Sequence, residues 1–78
     1  MIKSVCVSLN TIDKVSEFVK KISIFENKFE LVSEENIINA KSILGIFSLD
    51  LVKPMYLNIY GSDNLDKIID ILACYMGP

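Results

Sequence analysis

Alternation of apolar and polar residues constrains this chain most strongly, because a period of two places successive side chains on opposite faces of a β-strand. Residues 2–9 alternate with Val5, Val7 and Leu9 on one face. Residues 55–60 alternate in the same way near the other end of the chain. The sequence therefore predicts two strands that each bury one face against a common core.

A second pair of strands is predicted between them. Residues 28–32 alternate about Phe29 and Leu31, a polar turn spans 33–36, and the apolar pair 37–38 follows at once. Short alternating segments joined by a polar turn are typical of a β-hairpin. The central part of the chain is therefore expected to add two antiparallel strands to the sheet.

Two longer segments carry apolar residues with the period of a helix. The first stripe comprises Val15, Phe18, Val19 and Ile22, and the second comprises Leu65, Ile68, Ile69, Leu72 and Met76, widened by Ile71, Cys74 and Tyr75. Asn10, Thr11 and Asp13 offer cap oxygens before the first stripe, and Gly-Pro at 77–78 is a stop signal after the second. These patterns predict two amphipathic helices that cover the sheet.

A short third helix is predicted in the middle of the chain. Asn39 and Ser42 are good N-cap residues, and apolar residues follow Ser42 within about two turns. Spacing of i, i+3 turns Ile46 and Leu49 towards the core. The side chains left outside, Ile43, Leu44 and Phe47, are called here the Ser42 patch. An apolar patch beside a hydroxyl group suggests a surface for docking.

Composition excludes several classes of function. The 78 residues carry a net charge of -2, with a pI near 4.9, which argues against binding nucleic acid, because phosphates require a basic face. An apolar share of 51% and a mean hydropathy of +0.42 indicate either a rich core or apolar surface for a partner. Charged residues interrupt every apolar run, so no membrane span is expected.

The cysteines indicate a reduced, cytoplasmic protein without a metal or other cofactor. Cys6 and Cys74 could in principle pair, but no secretory signal precedes Cys6 and one bridge makes a poor framework. With no histidine and only these two cysteines, the chain has too few ligands for structural zinc.

The middle of the chain resembles the regulatory-serine segment of HPr, the small phosphocarrier of the bacterial sugar phosphotransferase system, which reads close to N-[AL]-K-S-I-M-G-[LV]-M-S-L. The identical positions are Asn39, Lys41, Ser42, Ile43, Gly45, Ser48 and Leu49, and Leu44, Ile46 and Phe47 are conservative replacements. The resemblance implies one α+β domain over 1–78, an open-faced β-sandwich of four antiparallel strands and three helices in the order β-α-β-β-α-β-α. Strand pairing is implied by the resemblance alone.

The loop before the first helix departs from that family. There the family reads G-[IL]-H-A-R-P-A, in which histidine accepts the phosphoryl group and arginine neutralises it. Here Thr11 takes the histidine place and Asp13 the arginine place, and a one-residue gap would bring in Ile12 or Lys14. The chain has no histidine, and a threonine phosphoester is too stable for relay. An acyl phosphate at Asp13 would need an acidic metal-binding cluster, so both residues are interpreted as caps.

Loss of the histidine with retention of the serine segment resembles the catabolite-repression paralogue of HPr. That paralogue keeps the arginine and proline of the loop, which this sequence lacks. By this resemblance the chain is a regulatory, protein-binding module and not an enzyme. Its expected partners are proteins, an HPr kinase or a transcription regulator among them.

Ser42 has two interpretations. It is a plain N-cap, or it is a phosphorylation site at a helix N-terminus with Lys41 as a nearby counter-charge. In the second case Lys41, Ile43, Leu44 and Phe47 form the partner surface. Two other functions stay open: a diverged interaction or dimerisation domain, as a monomer or weak homodimer, and an active phosphocarrier, which the missing histidine contradicts.

Overall fold

A computed structural model describes residues 2–76 of the chain and gives the predicted order of elements. They are β1 (Ile2–Val7), α1 (Ile12–Ile22), β2 (Phe29–Ser33), β3 (Asn36–Asn39), α2 (Ile43–Phe47), β4 (Met55–Tyr60), α3 (Leu65–Leu72) and a 3-10 turn (Ala73–Tyr75). The stop signal predicted at 77–78 lies outside the described residues. The order β-α-β-β-α-β-α is confirmed.

The four strands form one antiparallel sheet in the order β1-β4-β2-β3. The last strand in sequence therefore lies between the first two, with Leu57 opposite both Val5 and Leu31. Strand β3 ends the strand order and pairs with β2, through a tight turn in which Glu34 adopts a positive φ of 55°. This is the α+β open-faced sandwich that the resemblance implies.

One face of the sheet and the three helices enclose the core. The predicted alternation is confirmed, because Val5, Val7 and Leu9 are buried while Ser4 and Cys6 are exposed. The largest fully buried side chains are Phe18, Phe29, Leu9, Ile22, Leu31, Ile46, Met55, Leu57, Ile59, Ile68, Leu72 and Val7. They come from all three helices, from three strands and, for Leu9, from the loop after β1. Packing between the layers therefore holds the helices on the sheet.

Two predicted helix caps are wrong. Asp13 lies in the first turn of α1, where its carboxylate faces the positive end of the helix, and Thr11 is the cap. Asn39 ends β3, and its side chain accepts a hydrogen bond from the backbone N–H of Lys41 instead of capping α2. In both cases the residue directly before the helix, Thr11 or Ser42, satisfies the free amide with its own hydroxyl. A second side-chain oxygen is therefore not needed there.

The last helix is shorter than predicted. Helix α3 ends at Leu72, Met76 lies beyond the following 3-10 turn, and Cys74 is exposed and does not widen the apolar stripe. The turn brings the Tyr75 ring against Phe18 edge to face, with the ring centres 5.8 Å apart. The Tyr75 carbonyl also accepts a hydrogen bond from Ser8 N at 2.7 Å, so tertiary contacts end the helix.

Both cysteines are free and exposed, so the possible Cys6–Cys74 bridge is absent. Cys6 lies on the uncovered face of the sheet, and Cys74 lies in the turn after α3. None of the helices within residues 2–76 is long and apolar enough to cross a membrane.

Candidate functional site

Ser42 occupies the N-cap of α2. Its backbone is extended, with φ of -93° and ψ of 106°, and its Oγ accepts a hydrogen bond from Gly45 N at 3.2 Å. The Ser42 carbonyl accepts the first helical bond, from Ile46 N at 3.0 Å. The hydroxyl therefore satisfies an amide that the helix itself leaves free, as the cap interpretation predicts.

A tight turn places Ser42 at the end of β3. Asn39 Oδ1 accepts from Lys41 N at 2.9 Å, and the Asn39 carbonyl accepts from Ser42 N at 3.0 Å. Between them, Ala40 is fully buried and donates its N–H to the Phe29 carbonyl on β2. The turn is thus fixed to the sheet, and it presents the half-buried Ser42 at its outer end.

Gly45 keeps space around the hydroxyl. A Cβ at this position would lie 3.2 Å from Ser42 Oγ and 3.3 Å from Ile38 Cδ1. Both distances are shorter than ordinary van der Waals contact, so a larger residue would have to displace the cap or the Ile38 side chain. Glycine in a helix costs about 1 kcal/mol relative to alanine, which makes close packing the physical reason for it here.

The two faces of α2 separate as predicted. Ile46 is fully buried and Leu49, just after the helix, is 8% exposed, so both belong to the core. The Ser42 patch lies outside, with Leu44 79% exposed and Ile43 and Phe47 each a little above one third. Three of the five large apolar residues between Ile43 and Leu49 therefore lie on the surface.

Lys41 directs its ammonium group to the loop after α1. Nζ donates a hydrogen bond to the Phe25 carbonyl at 2.6 Å and lies 5.4 Å from the centre of the Phe29 ring. The sequence predicts this ammonium group as a counter-charge for Ser42. In the structure it contacts the Phe25 carbonyl and the Phe29 ring. This bond ties the start of α2 to residues 23–28.

The loop before α1 ends in a second hydroxyl cap. Thr11 is exposed, and its Oγ1 accepts from Lys14 N at 3.1 Å. Asp13 is exposed in the first helical turn, and Ile12 beside it is 70% exposed. Residues 2–76 contain no grouping of three or more His, Cys, Asp or Glu side chains that could hold a metal ion, at this loop or elsewhere.

Tyr75 supports this loop from below. Its hydroxyl donates to Glu17 Oε2 at 3.3 Å, and Lys21 Nζ lies 5.0 Å from the centre of its ring. Burial raises the pKa of the Tyr75 phenol, and the hydrogen bond with Tyr75 raises the pKa of Lys21. The loop is fixed at its first end by the bond from Ser8 N to the Tyr75 carbonyl and at its second end by the Thr11 cap.

No protein-family model and no curated protein matches the chain. Solved structures do. The crystal structure of HPr-C-His from Thermoanaerobacter tengcongensis superposes with a TM-score of 0.77 and 25% identity, over 92% of this chain and 88% of that one. Phosphocarrier protein HPr from Bacillus anthracis str. Ames superposes with a TM-score of 0.75 and 27% identity, over 99% of this chain and 96% of that one. The chain is an HPr-like protein. The histidine-containing phosphocarrier protein of Mycoplasma, at 17% identity and a TM-score of 0.69 over 95% and 89%, shares the fold.

Sequence reasoning missed three features of the HPr-like protein. The bond from Lys41 to Phe25 joins residues that are 16 positions apart in the chain, so no local sequence pattern predicts it. The packing of Gly45 against Ser42 had a signal, because a glycine inside a helix normally has a packing or functional reason. Ile12, at the start of α1, is 70% exposed, and the sequence indicates it only as a gapped alternative in the loop before that helix.

Proposed function

We propose that this HPr-like protein is a non-catalytic regulatory module, related to the sugar phosphotransferase system, that binds protein partners and is switched by phosphorylation at Ser42. The proposal treats residues 1–78 as one domain that acts in the cytoplasm. One observation carries it: a serine hydroxyl at a helix N-cap adjoins the exposed Ser42 patch.

Phosphate relay is not part of the proposal. The relatives include proteins named phosphocarriers, but this chain has no histidine to accept a labile phosphoryl group. Thr11, in the place that the family gives to histidine, serves as a helix cap, and no imidazole or other base is bonded to it in residues 2–76. A hydroxyl without a base is a poor nucleophile and a poor leaving group.

Phosphorylation would change the character of the Ser42 patch. A phosphoserine carries about -1.5 to -2 charges near pH 7 and adds strong acceptor oxygens. The first turn of α2 has no acidic residue, so nothing there repels the new charge. Because Phe25 holds the Lys41 ammonium group, the phosphate would stay available to a cation of the partner.

The partner surface consists of Ile43, Leu44 and Phe47, with Lys41 at its border. Apolar side chains beside a switchable charge suit a protein that offers an apolar pocket next to a basic residue. An HPr kinase or a transcription regulator is the class of partner proposed. Phe47 is stiffer than methionine, so its partner needs a preformed aromatic pocket.

The test is intact-mass measurement after incubation with ATP, magnesium and an HPr kinase. We expect a gain of one phosphoryl group, complete loss of that gain in Ser42→Ala, and full retention in Ser48→Ala. Ser48 is the matched control, because it is an exposed serine at the other end of α2 whose hydroxyl bonds the Gly45 carbonyl.

No gain in a chain whose circular dichroism shows it to be folded would refute the switch. A gain that survives in Ser42→Ala would place the modification elsewhere and refute the assignment to Ser42. The phosphoryl group should also persist in acid, because a serine phosphoester is stable where a phosphorylated imidazole is labile.

A further inference from the structure

The outer edge of β1 presents backbone groups that no other strand within residues 2–76 pairs. In β4, Tyr60 N donates to the carbonyl of the residue before β2 at 3.0 Å, so Tyr60 directs its backbone groups towards β2. Successive residues of a strand direct these groups to opposite sides. Leu57 therefore bonds its partner Val5 in β1. The neighbours of Val5 in the chain, Ser4 and Cys6, direct their N–H and C=O groups away from the sheet.

A bond at one end of this edge shows that the edge accepts extended backbone. Ser8 N donates to the Tyr75 carbonyl at 2.7 Å, which is the outward direction that the alternation gives to even-numbered residues of β1. Met76 follows with an extended backbone, with φ of -80° and ψ of 110°. This chain thus forms one rung of an added strand itself. The next rungs, at Ser4 and Cys6, have no backbone partner among residues 2–76.

The opposite edge of the sheet offers less backbone. Ala40 N donates to the Phe29 carbonyl on β2, so the outward-facing residues of β3 are Ile37 and Asn39. The Asn39 carbonyl already accepts from Ser42 N. Among the described residues of β3, Ile37 alone keeps both backbone groups available. The edge of β1 is therefore the one that can pair with a further strand.

A groove of about 650 Å³ lies between β1 and α3, beside this edge. Its apolar lining consists of Val5 on β1, Leu65 and Ile69 on α3, and Met76 after the helix. Val5 lies between the two outward-facing residues of β1. Directly opposed residues of paired strands project to the same face of the sheet. The residue of an added strand that lies opposite Val5 would therefore place its side chain in this groove.

The groove has an excess of negative charge. Asp66 and Asp70 line it, one turn apart on the same side of α3, and Lys3 is the one cation of the lining. Neither aspartate forms an ion pair with a cation of the described residues, and both are exposed. Apolar walls with two carboxylates fit the aliphatic stem and the guanidinium group of an arginine side chain.

We propose that the outer edge of β1 binds an extended segment of a partner protein, which adds a fifth strand to the sheet and places an arginine side chain in the groove. An antiparallel segment would form four backbone hydrogen bonds, two with Ser4 and two with Cys6. The arginine lies opposite Val5, where its stem contacts the apolar walls. Its guanidinium group binds Asp66 and Asp70.

This site is separate from the Ser42 patch. The strand order β1-β4-β2-β3 puts β1 and β3 at opposite edges, and α2 follows β3 in the chain. The inference therefore goes beyond the proposed function and does not depend on phosphorylation of Ser42. Ser42→Ala should bind the segment as tightly as the wild-type chain.

NMR titration of the isotope-labelled chain with synthetic peptides tests the site. The probe is a capped peptide of seven residues, alternately threonine and valine, with arginine in place of the central valine. One companion peptide has glutamate at the centre, and another has N-methyl groups on its third and fifth amides. The arginine peptide should shift the amide resonances of Ser4 and Cys6. The glutamate peptide should bind at least about tenfold more weakly, and the methylated peptide should not bind.

Variants of the chain separate the backbone bonds from the charges. Ser4→Pro removes an outward N–H and should weaken binding at least about tenfold, while the β1–β4 ladder stays intact because that N–H does not bond β4. Asp66→Asn/Asp70→Asn should abolish the preference for arginine over glutamate. Glu35→Gln is the matched control, because Glu35 is an exposed carboxylate in the turn between β2 and β3, and it should change neither property.

No binding of the arginine peptide at concentrations up to about 1 mM would refute the proposal. Equal binding of the glutamate peptide would refute the arginine site. Shifts confined to α2 would place the peptide on the Ser42 patch and would refute the assignment to the edge of β1. Circular dichroism confirms that each variant is folded. Should Ser4→Pro fail to fold, the methylated peptide tests the same ladder from the side of the ligand.

Discussion

Two hydroxyl caps of this HPr-like protein can be compared directly. Thr11 Oγ1 accepts from Lys14 N at 3.1 Å at the start of α1, and Ser42 Oγ accepts from Gly45 N at 3.2 Å at the start of α2. Both caps have an extended backbone and satisfy the amide of the third residue that follows. At the level of the hydrogen bond the two sites are nearly the same.

Their surroundings differ. The Thr11 cap begins an eleven-residue helix that buries Val15, Phe18 and Ile22, and its first turn contains the carboxylate of Asp13. The Ser42 cap begins a five-residue helix that buries only Ile46 and has no acidic residue in its first turn. The bond that each hydroxyl makes therefore does not distinguish the two caps. Under the proposed function, the charges and the apolar surface around Ser42 make it the regulatory one.

The largest expected effect is the difference between the two caps as substrates once they are made chemically alike. Thr11→Ser gives both helices a serine cap, and under the proposed function an HPr kinase should still add one phosphoryl group only. Asp13 would repel the phosphate at the first cap, and the apolar docking surface adjoins the second. Intact-mass measurement of Thr11→Ser counts the phosphoryl groups, with Thr11→Ser/Ser42→Ala as the control. A second phosphoryl group on Thr11→Ser would show that the surroundings of the two caps do not determine which serine is phosphorylated.

The second prediction concerns the single anchor of α2. Ile46→Ala should lower the free energy of unfolding by about 2–5 kcal/mol, because Ile46 is fully buried. Leu44→Ala, two residues away and mostly exposed, should change it by less than about 0.5 kcal/mol. Urea unfolding of both variants measures the difference. Equal losses would mean that the Ser42 patch is part of the core and is not free for a partner.

The third prediction concerns the caps themselves. Thr11→Ala and Ser42→Ala should each cost about 1 kcal/mol of stability, since each leaves one helical amide without its partner. Amide hydrogen exchange should speed up at Lys14 in the first variant and at Gly45 in the second. If removal of either hydroxyl left both amides equally protected, the cap would not be the source of that stability.

The smallest effect is expected at alkaline pH. Burial raises the pKa of Tyr75 above its usual value near 10, so the folded chain holds this proton more tightly than the unfolded chain. Its contribution to stability is complete below about pH 10 and is lost as the pH rises through the raised pKa. Thermal unfolding between pH 8 and 11 should show a shallower alkaline decline in Tyr75→Phe than in the wild-type chain. If the decline were unchanged in Tyr75→Phe, the loss of stability at alkaline pH would come from other titratable groups.

Local patterns predicted the elements of this fold but not their contacts. The alternation of β1 and β4 and the two faces of α2 follow from spacing, and the structure confirms them. The end of α3 could not be predicted, because it depends on Tyr75 packing against Phe18 from another part of the chain. For the same reason no pattern separates Lys41 as a tie to Phe25 from Lys41 as a counter-charge.

Gly45 also determines how this chain would respond to selection. Alanine is the better helix former, so a library screened for thermal stability alone would favour it at this position if Ser42 and Ile38 could move by a few tenths of an ångström. That movement would place a methyl group against the Ser42 hydroxyl, which under the proposed function a kinase must reach. A screen for phosphorylation of Ser42 would therefore retain glycine. The residue selected at position 45 would show whether stability or phosphorylation is the stronger selective pressure on this segment.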